Sequence, residues 1–164
     1  MPGSNQDSKG RAAVMAQSGE RTTVMMCNLP MSYTSDRLVV FLDLHGYSKQ
    51  FDLVYAPINF KSMTCVGYAF VNFITHEQAT HFMDAFDGFD KWGSPCQSPC
   101  FLCWSDVQGL NHNVRYYQNS PVMCESVPDF CKPILLKDGV QISFPKPTKK
   151  LRAVKCRRGM AERD

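Results

Sequence analysis

The sequence predicts an α+β fold of the ferredoxin-like split βαβ type: a four-stranded antiparallel sheet with two helices on one face, plus a C-terminal helical extension. Three observations predict it. Strand and helix signals alternate in the order βαββαβ between residues 22 and 107. Thr75-His76-Glu77-Gln78 has the form of a capping box, and Ala79, Phe82, Met83 and Phe86 follow it as one apolar stripe at helical spacing. Residues 66–74 form the strongest strand signal in the chain.

Each element has its own local cause. Residues 22–29 are β-rich and apolar, and Pro30 stops the run because proline offers no N–H to a strand ladder. Thr34 and Ser35 can cap a helix that carries Leu38, Phe41, Leu42 and His45 on one face, with Gly46 closing it. Residues 51–56 make a short strand ended by Pro57. Asp87-Gly88 ends the second helix, and after a loop residues 101–107 give a fourth strand. Leu110, Val114 and Tyr117 suggest an extra short helix, followed by a stretch with Pro121, Pro128 and Pro133. The expected organisation is a disordered head at 1–21, a domain with its extension at 22–136, and a basic, disordered tail at 137–164.

Bulk properties narrow the function. The 164 residues suit one domain, and 44% hydrophobic content excludes wholesale disorder. No apolar run reaches the roughly 18 residues of a membrane span, and the first twenty residues lack the apolar core of a secretory signal. The expectation is an intracellular protein, nuclear or cytoplasmic, that is a monomer and has no membrane partner. Its eight cysteines then read as free thiols. Net charge is +3, but residues 145–164 hold eight Lys/Arg against two Asp/Glu, a local +6, which leaves the rest at −3. A basic tail beside a folded unit fits a polyanion, or a targeting signal.

The sharpest signal lies on the two central strands. Val66-Gly67-Tyr68-Ala69-Phe70-Val71-Asn72-Phe73 fits the octamer signature of the RNA recognition motif (RRM) at all but its first position, where Lys or Arg is usual. Val24-Met25-Met26-Cys27-Asn28-Leu29 fits the companion hexamer, with Met25 where an aromatic is usual. Side chains alternate across a strand, so Gly67, Ala69, Val71 and Phe73 are expected to face the helices. Tyr68, Phe70 and Asn72 then face the other way. Two adjacent open rings make a base-stacking platform, worth about 1–3 kcal/mol per base. The competing reading has both rings covered by a terminal segment or engaged by a protein. On the fourth strand Leu102, Trp104 and Asp106 are expected on the open face, adding Trp104 to the platform; the alternative puts Trp104 in the core.

Several runs resemble the C-terminal RRM of the Mei-two-like meiotic regulators of fungi, plants and protists. They are Thr23-Val24-Met25-Met26-Cys27-Asn28-Leu29-Pro30 with Tyr33-Thr34, then Tyr55-Ala56-Pro57-Ile58-Asn59-Phe60-Lys61, and the octamer itself. Phe86-Asp87-Gly88 with Trp92, Val107-Gln108-Gly109, Tyr117-Gln118-Asn119-Ser120 and Cys131-Lys132-Pro133-Ile134-Leu135 continue the match to about residue 136. The resemblance implies RNA binding and, for some members, roles in meiosis or development. It also makes Met25 a family feature. Members usually have Arg where Cys27 and Asp106 stand, so the resemblance puts two phosphate or base contacts on the expected binding face in question.

Other constellations are set aside. Cys96-x3-Cys100-x2-Cys103 has the spacing of radical-SAM iron–sulfur enzymes, but Cys103 falls inside a predicted strand and the chain is too short for their barrel. A zinc site drawn from these cysteines with His112, Cys124 or Cys131 lacks paired-knuckle spacing. No phosphate loop or catalytic triad order is present, so neither an enzyme nor a cofactor is expected. The expected function is recognition of single-stranded RNA. Tyr68 and Phe70 stack bases, beside Met25. Asn72, Asn28 and Trp104 contact base edges or add stacking. Lys61 and the tail's Lys149, Lys150, Arg152, Arg157 and Arg158 meet phosphates. The alternative is a protein–protein module that uses its sheet or helices; the slightly acidic body, Met25 and the missing arginines favour it.

Overall fold

The computed structural model describes residues 20–93 and 98–154. Its elements are β1 (Thr23–Cys27), α1 (Ser35–Leu44), β2 (Phe51–Tyr55), β3 (Ile58–Asn59), β4 (Thr64–Cys65), β5 (Tyr68–Phe73), α2 (His76–Phe86), β6 (Phe101–Trp104), α3 (Leu110–Gln118), β7 (Ile134–Lys137) and β8 (Val140–Ile142). The main sheet has the order β6-β1-β5-β2-β7-β8, and β3 and β4 form a separate small hairpin. The α+β split βαβ expectation therefore holds, with β1 and β5 side by side inside the sheet.

Local chemistry accounts for the helices. The Thr34 hydroxyl accepts the Arg37 N–H at the start of α1. At α2 the capping box is complete: Thr75 accepts from the Gln78 backbone, and the Gln78 side chain accepts from the Thr75 N–H. Val24, Met26, Ala69, Val71 and Phe73 on the sheet's inner face are buried with Leu38, Leu42, Ala79, Phe82 and Phe86 from the helices. Trp92 closes one end of this core, stacked on Phe41 at 5.1 Å and edge-on to Tyr33 at 5.1 Å.

Four points depart from expectation. The sheet has six strands instead of four, because β7 pairs with β2 and turns through Asp138-Gly139 into β8. Asp138 (φ 52°) and Gly139 (φ 78°) both have positive φ, as a two-residue primed hairpin turn requires. The expected domain boundary at Leu136 thus falls inside β7. The expected disordered tail is also docked as far as the described residues go. Gln118 donates to the Lys146 carbonyl at 2.7 Å, Asn119 exchanges hydrogen bonds with Thr148, and Val154 packs against a second small core of Ile58, Val122, Val127 and Cys131. Finally, Gly67 is not pressed by a helix. A Cβ there would meet nothing within 4 Å, and glycine is needed for its φ of +102°.

Candidate nucleic-acid interface

The strand registers sort the outer face of the sheet, opposite α1 and α2, into three rows. Thr23 lies opposite Asn72, and Asn72 opposite Leu53. Cys103, Met25, Phe70 and Tyr55 form the next row. Phe101, Cys27 and Tyr68 form the last. Exposure rises along the series: Thr23, Asn72 and Leu53 are at most 2% exposed, the middle row is half-buried, and Tyr68 and Phe101 reach 37% and 50%.

Helix α3 produces this gradient, because it lies on the outer face over the first row. Its Asn113, fully buried, donates from Nδ2 to the Thr23 hydroxyl at 3.0 Å, and Tyr117 packs edge-on against Tyr55 at 4.8 Å. The Val107-Gln108-Gly109 turn anchors it. Gln108 Oε1 accepts from the Thr22 and Thr23 N–H groups, and its Nε2 donates to the Thr23 and Ser105 carbonyls. The side-chain amide thereby bonds the start of β1 on its β6 side, where the ladder between the two strands ends at Val24 and Trp104. Gly109, with φ 85°, starts the helix and donates its N–H to the Thr23 hydroxyl.

What remains open is an aromatic and sulfur surface. The Tyr68 and Phe70 rings are 5.7 Å apart and nearly perpendicular. One groove runs over Met25, Cys27, Asn28, Tyr68 and Phe101. A second, of about 430 Å³, lies between the rings and α3, bounded by Met25, Tyr68, Phe70, Cys103, Tyr116 and Tyr117. Burial, and then the neighbouring Tyr68 and Cys131, push the Tyr55 phenol up to about 12; burial first of all raises Tyr117 as well. Burial, with Cys103 adding to it, raises the Cys27 thiol. These groups stay neutral at physiological pH, so the sheet itself presents rings, hydroxyls and a thiol, with the exposed Asp106 as the acidic group on the rim of the second groove.

The expected site residues divide. Tyr68, Phe70 and Met25 come together on the outer face, and exposed Asn28 (φ 64°) borders the first groove while donating to the Pro99 carbonyl at 3.2 Å. Asn72 does not belong with them. It is 2% exposed, its Oδ1 accepts from the Thr22 and Thr23 hydroxyls, and its Nδ2 donates to Asp52, so it has no edge to offer a base. Trp104 follows the alternative that put it in the core, although it also borders the second groove. It pairs with inward-facing Val24, packs against the main core and stacks on His76 at 5.5 Å. Phe101, which the same alternation expected to face inward with Cys103, Ser105 and Val107, takes the platform position instead. Both residues are aromatic and stand an odd number of positions apart, so alternation alone could not choose between them, and a slip of one residue exchanges the faces. Lys61 in the β3–β4 hairpin and Lys149, Lys150 and Arg152 are exposed, but neither groove over the rings is lined by them. Arg157, Arg158 and Cys96 lie outside the described residues. Among the described residues no group of three His, Cys, Asp or Glu side chains is placed to hold a metal ion.

A split βαβ sheet with adjacent rings on the outer face of a central strand, opposite its two packed helices, defines the RNA recognition motif class. The profile of the family described as RNA recognition motif 2 matches residues 21–118, and the chain belongs to that family. Its relatives include Protein MEI2-like 1 of Arabidopsis thaliana, 38% identical over 117 residues, and Protein MEI2-like 2 of Oryza sativa subsp. japonica, 36% identical over 132. The matches cover 70% and 76% of this chain but 12% and 15% of those longer proteins. The Mei-two-like resemblance read from the sequence is thereby borne out. Among solved structures, the Sex-lethal RNA recognition domains 1 and 2 of Drosophila melanogaster superimpose with a TM-score of 0.42 at 17% identity, over 51% of this chain and 49% of that one, a likeness too low to bear on function.

Proposed function

We propose that the chain binds single-stranded RNA, without catalysis, by stacking unpaired bases on Tyr68, Phe70 and Phe101. The observation that carries this reading is the open pair of rows on the outer face, where three rings and Met25 stay accessible although α3 covers the rest. Membership of the RNA recognition motif 2 family supports it. Asn28, at the rim, is placed to meet a base edge. The docked tail brings Lys149, Lys150 and Arg152 just past the clasp between Thr148 and the end of α3, where they can meet phosphates. The names of the relatives support a regulatory role, and the family resemblance points to post-transcriptional or meiotic regulation. Among the described residues no helix is long and apolar enough to cross a membrane, and we place the protein's work on RNA in the nucleus or cytoplasm.

A second reading has one specific observation in its favour. Val40 and Leu44, one turn apart on α1, are 56% and 80% exposed, an apolar strip suited to a protein partner. A fluorescence-anisotropy titration against a labelled random single-stranded RNA pool decides between them. Tyr68→Ala with Phe70→Ala is expected to weaken binding about tenfold or more while the fold persists, since each lost stack removes about 1–3 kcal/mol. Unchanged affinity in the folded double variant would overturn the stacking reading and favour the α1 strip.

A further inference from the structure

Beyond the ring platform, a larger concavity of about 820 Å³ opens where the start of β1 meets α3. It is bordered by Arg21 and Glu20 on the β1 side, by Asp106 and Val107 in the turn after β6, and by His112, Arg115 and Tyr116 on α3. His112, Arg115 and Tyr116 stand at i, i+3 and i+4, so one face of the helix supplies them. Asn113 and Tyr117, on another face, hold the same helix to the sheet. The two faces have separate jobs: one docks α3, and the other, including Tyr116 at 64% exposure, fronts the cavity.

The concavity adjoins the platform. Asp106, Val107 and Tyr116 border both it and the groove over Tyr68 and Phe70, and Met25 and Tyr68 join that groove to the one beside Phe101. A strand laid on the rings thus meets, one after another, neighbouring concavities along the sheet's open rows and past the first part of α3.

We infer that this cavity is a second nucleotide subsite, taking the next nucleotide of the same RNA strand after the platform. The inference rests on the stacking reading above. Tyr116 supplies a ring for the base. Arg115 and Arg21 supply guanidinium groups for phosphate. Asp106 and Glu20 can only accept hydrogen bonds, so they cannot hold phosphate; they suit the exocyclic amino group of a base, as acidic side chains accept from cytosine N4. Cations and anions together on one wall are the mixture a whole nucleotide needs and a free anion does not. His112 Nδ1 is already committed to the Gln108 carbonyl at 3.0 Å, which fixes its ring at the rim.

The test uses the full chain and the same labelled random RNA pool, titrated at several salt concentrations. Arg21→Gln with Arg115→Gln is expected to lower the log–log salt slope by about 1.4, since each phosphate contact to a single strand contributes about 0.7. Tyr116→Ala is expected to weaken binding about tenfold, at an unchanged thermal midpoint because the ring is exposed. If both variants keep wild-type affinity and slope while Tyr68→Ala with Phe70→Ala loses binding, the subsite is overturned and the platform stands. If the platform variant binds as wild type does, the stacking reading falls and the subsite falls with it.

Discussion

Phe101 and Trp104 sit three residues apart in β6 and face opposite ways. Phe101 is half exposed on the outer face, while Trp104 packs between the core and His76. Their substitutions should therefore separate recognition from stability. Phe101→Ala is expected to weaken RNA binding about five- to tenfold with little change in thermal midpoint. Trp104→Ala is expected to destabilise the fold by roughly 2–4 kcal/mol, below the cost of emptying a fully buried site because the ring is only partly covered. Denaturant unfolding and RNA titration of the two variants check the pair, and the opposite pattern would mean the register of β6 is wrong. At this scale the sequence was legible wherever a position had one apolar choice, as at Val24, Ala69 and Val71. It was ambiguous at Phe101 and Trp104, and at Asn72 it misled: alternation set the residue on the outer face correctly but said nothing about a helix lying on top of it.

Helix α3 and the buried polar row beneath it form the next level. Gln108 makes four hydrogen bonds to backbone groups at the start of β1 and in the turn that follows β6, so Gln108→Ala takes the side-chain partner from the Thr22 and Thr23 N–H groups and from the Ser105 carbonyl, while the Thr23 carbonyl keeps the Ser105 N–H. A loss of about 1–3 kcal/mol is expected, with faster amide exchange at Thr23 and along α3 as the helix loosens. Wild-type exchange rates in the variant would show that Tyr117 and Asn113 dock the helix unaided. Asp52 in the same network offers a test by pH. Burial raises its pKa above the ordinary value, partly offset by the hydrogen bond from Asn72. A carboxyl with a raised folded-state pKa holds its proton more tightly in the fold. Its contribution is therefore most favourable at low pH and is lost as pH rises through the folded value. Asp52→Asn should remove that decline, leaving the variant relatively more stable at neutral pH than in acid, as urea midpoints across the carboxylate range would record. The helix α3 itself was legible from Leu110, Val114 and Tyr117. Its resting place was not, because the Gln108 anchor is a single polar side chain with no periodic signature.

Taken whole, the molecule joins a weakly acidic body to a basic segment whose described part contacts it at Lys146, Thr148 and Val154. The β7–β8 hairpin extends the sheet, and its Asp138-Gly139 turn between apolar runs was a readable hairpin signal that the nearby prolines obscured. The docking changes how the tail should be tested. Cutting the chain before Lys146 would also remove the Thr148 clasp and the Val154 contact. Replacing Lys149, Lys150 and Arg152 with Gln keeps both. If these residues meet phosphates, the salt slope of RNA binding should fall by about 2, with the ranking of preferred sequences unchanged. An unchanged slope would assign the tail to another task.

The central claim is that RNA lies on the two open rows of the outer face. At 18.6 kDa the protein suits amide chemical-shift mapping, which reports contact residue by residue. On titration with single-stranded RNA, the largest shifts are expected at Met25, Cys27, Tyr68, Phe70 and Phe101, with α1 and α2 near their free positions. Shifts confined to α1 around Val40 and Leu44, with the central strands silent, would contradict it.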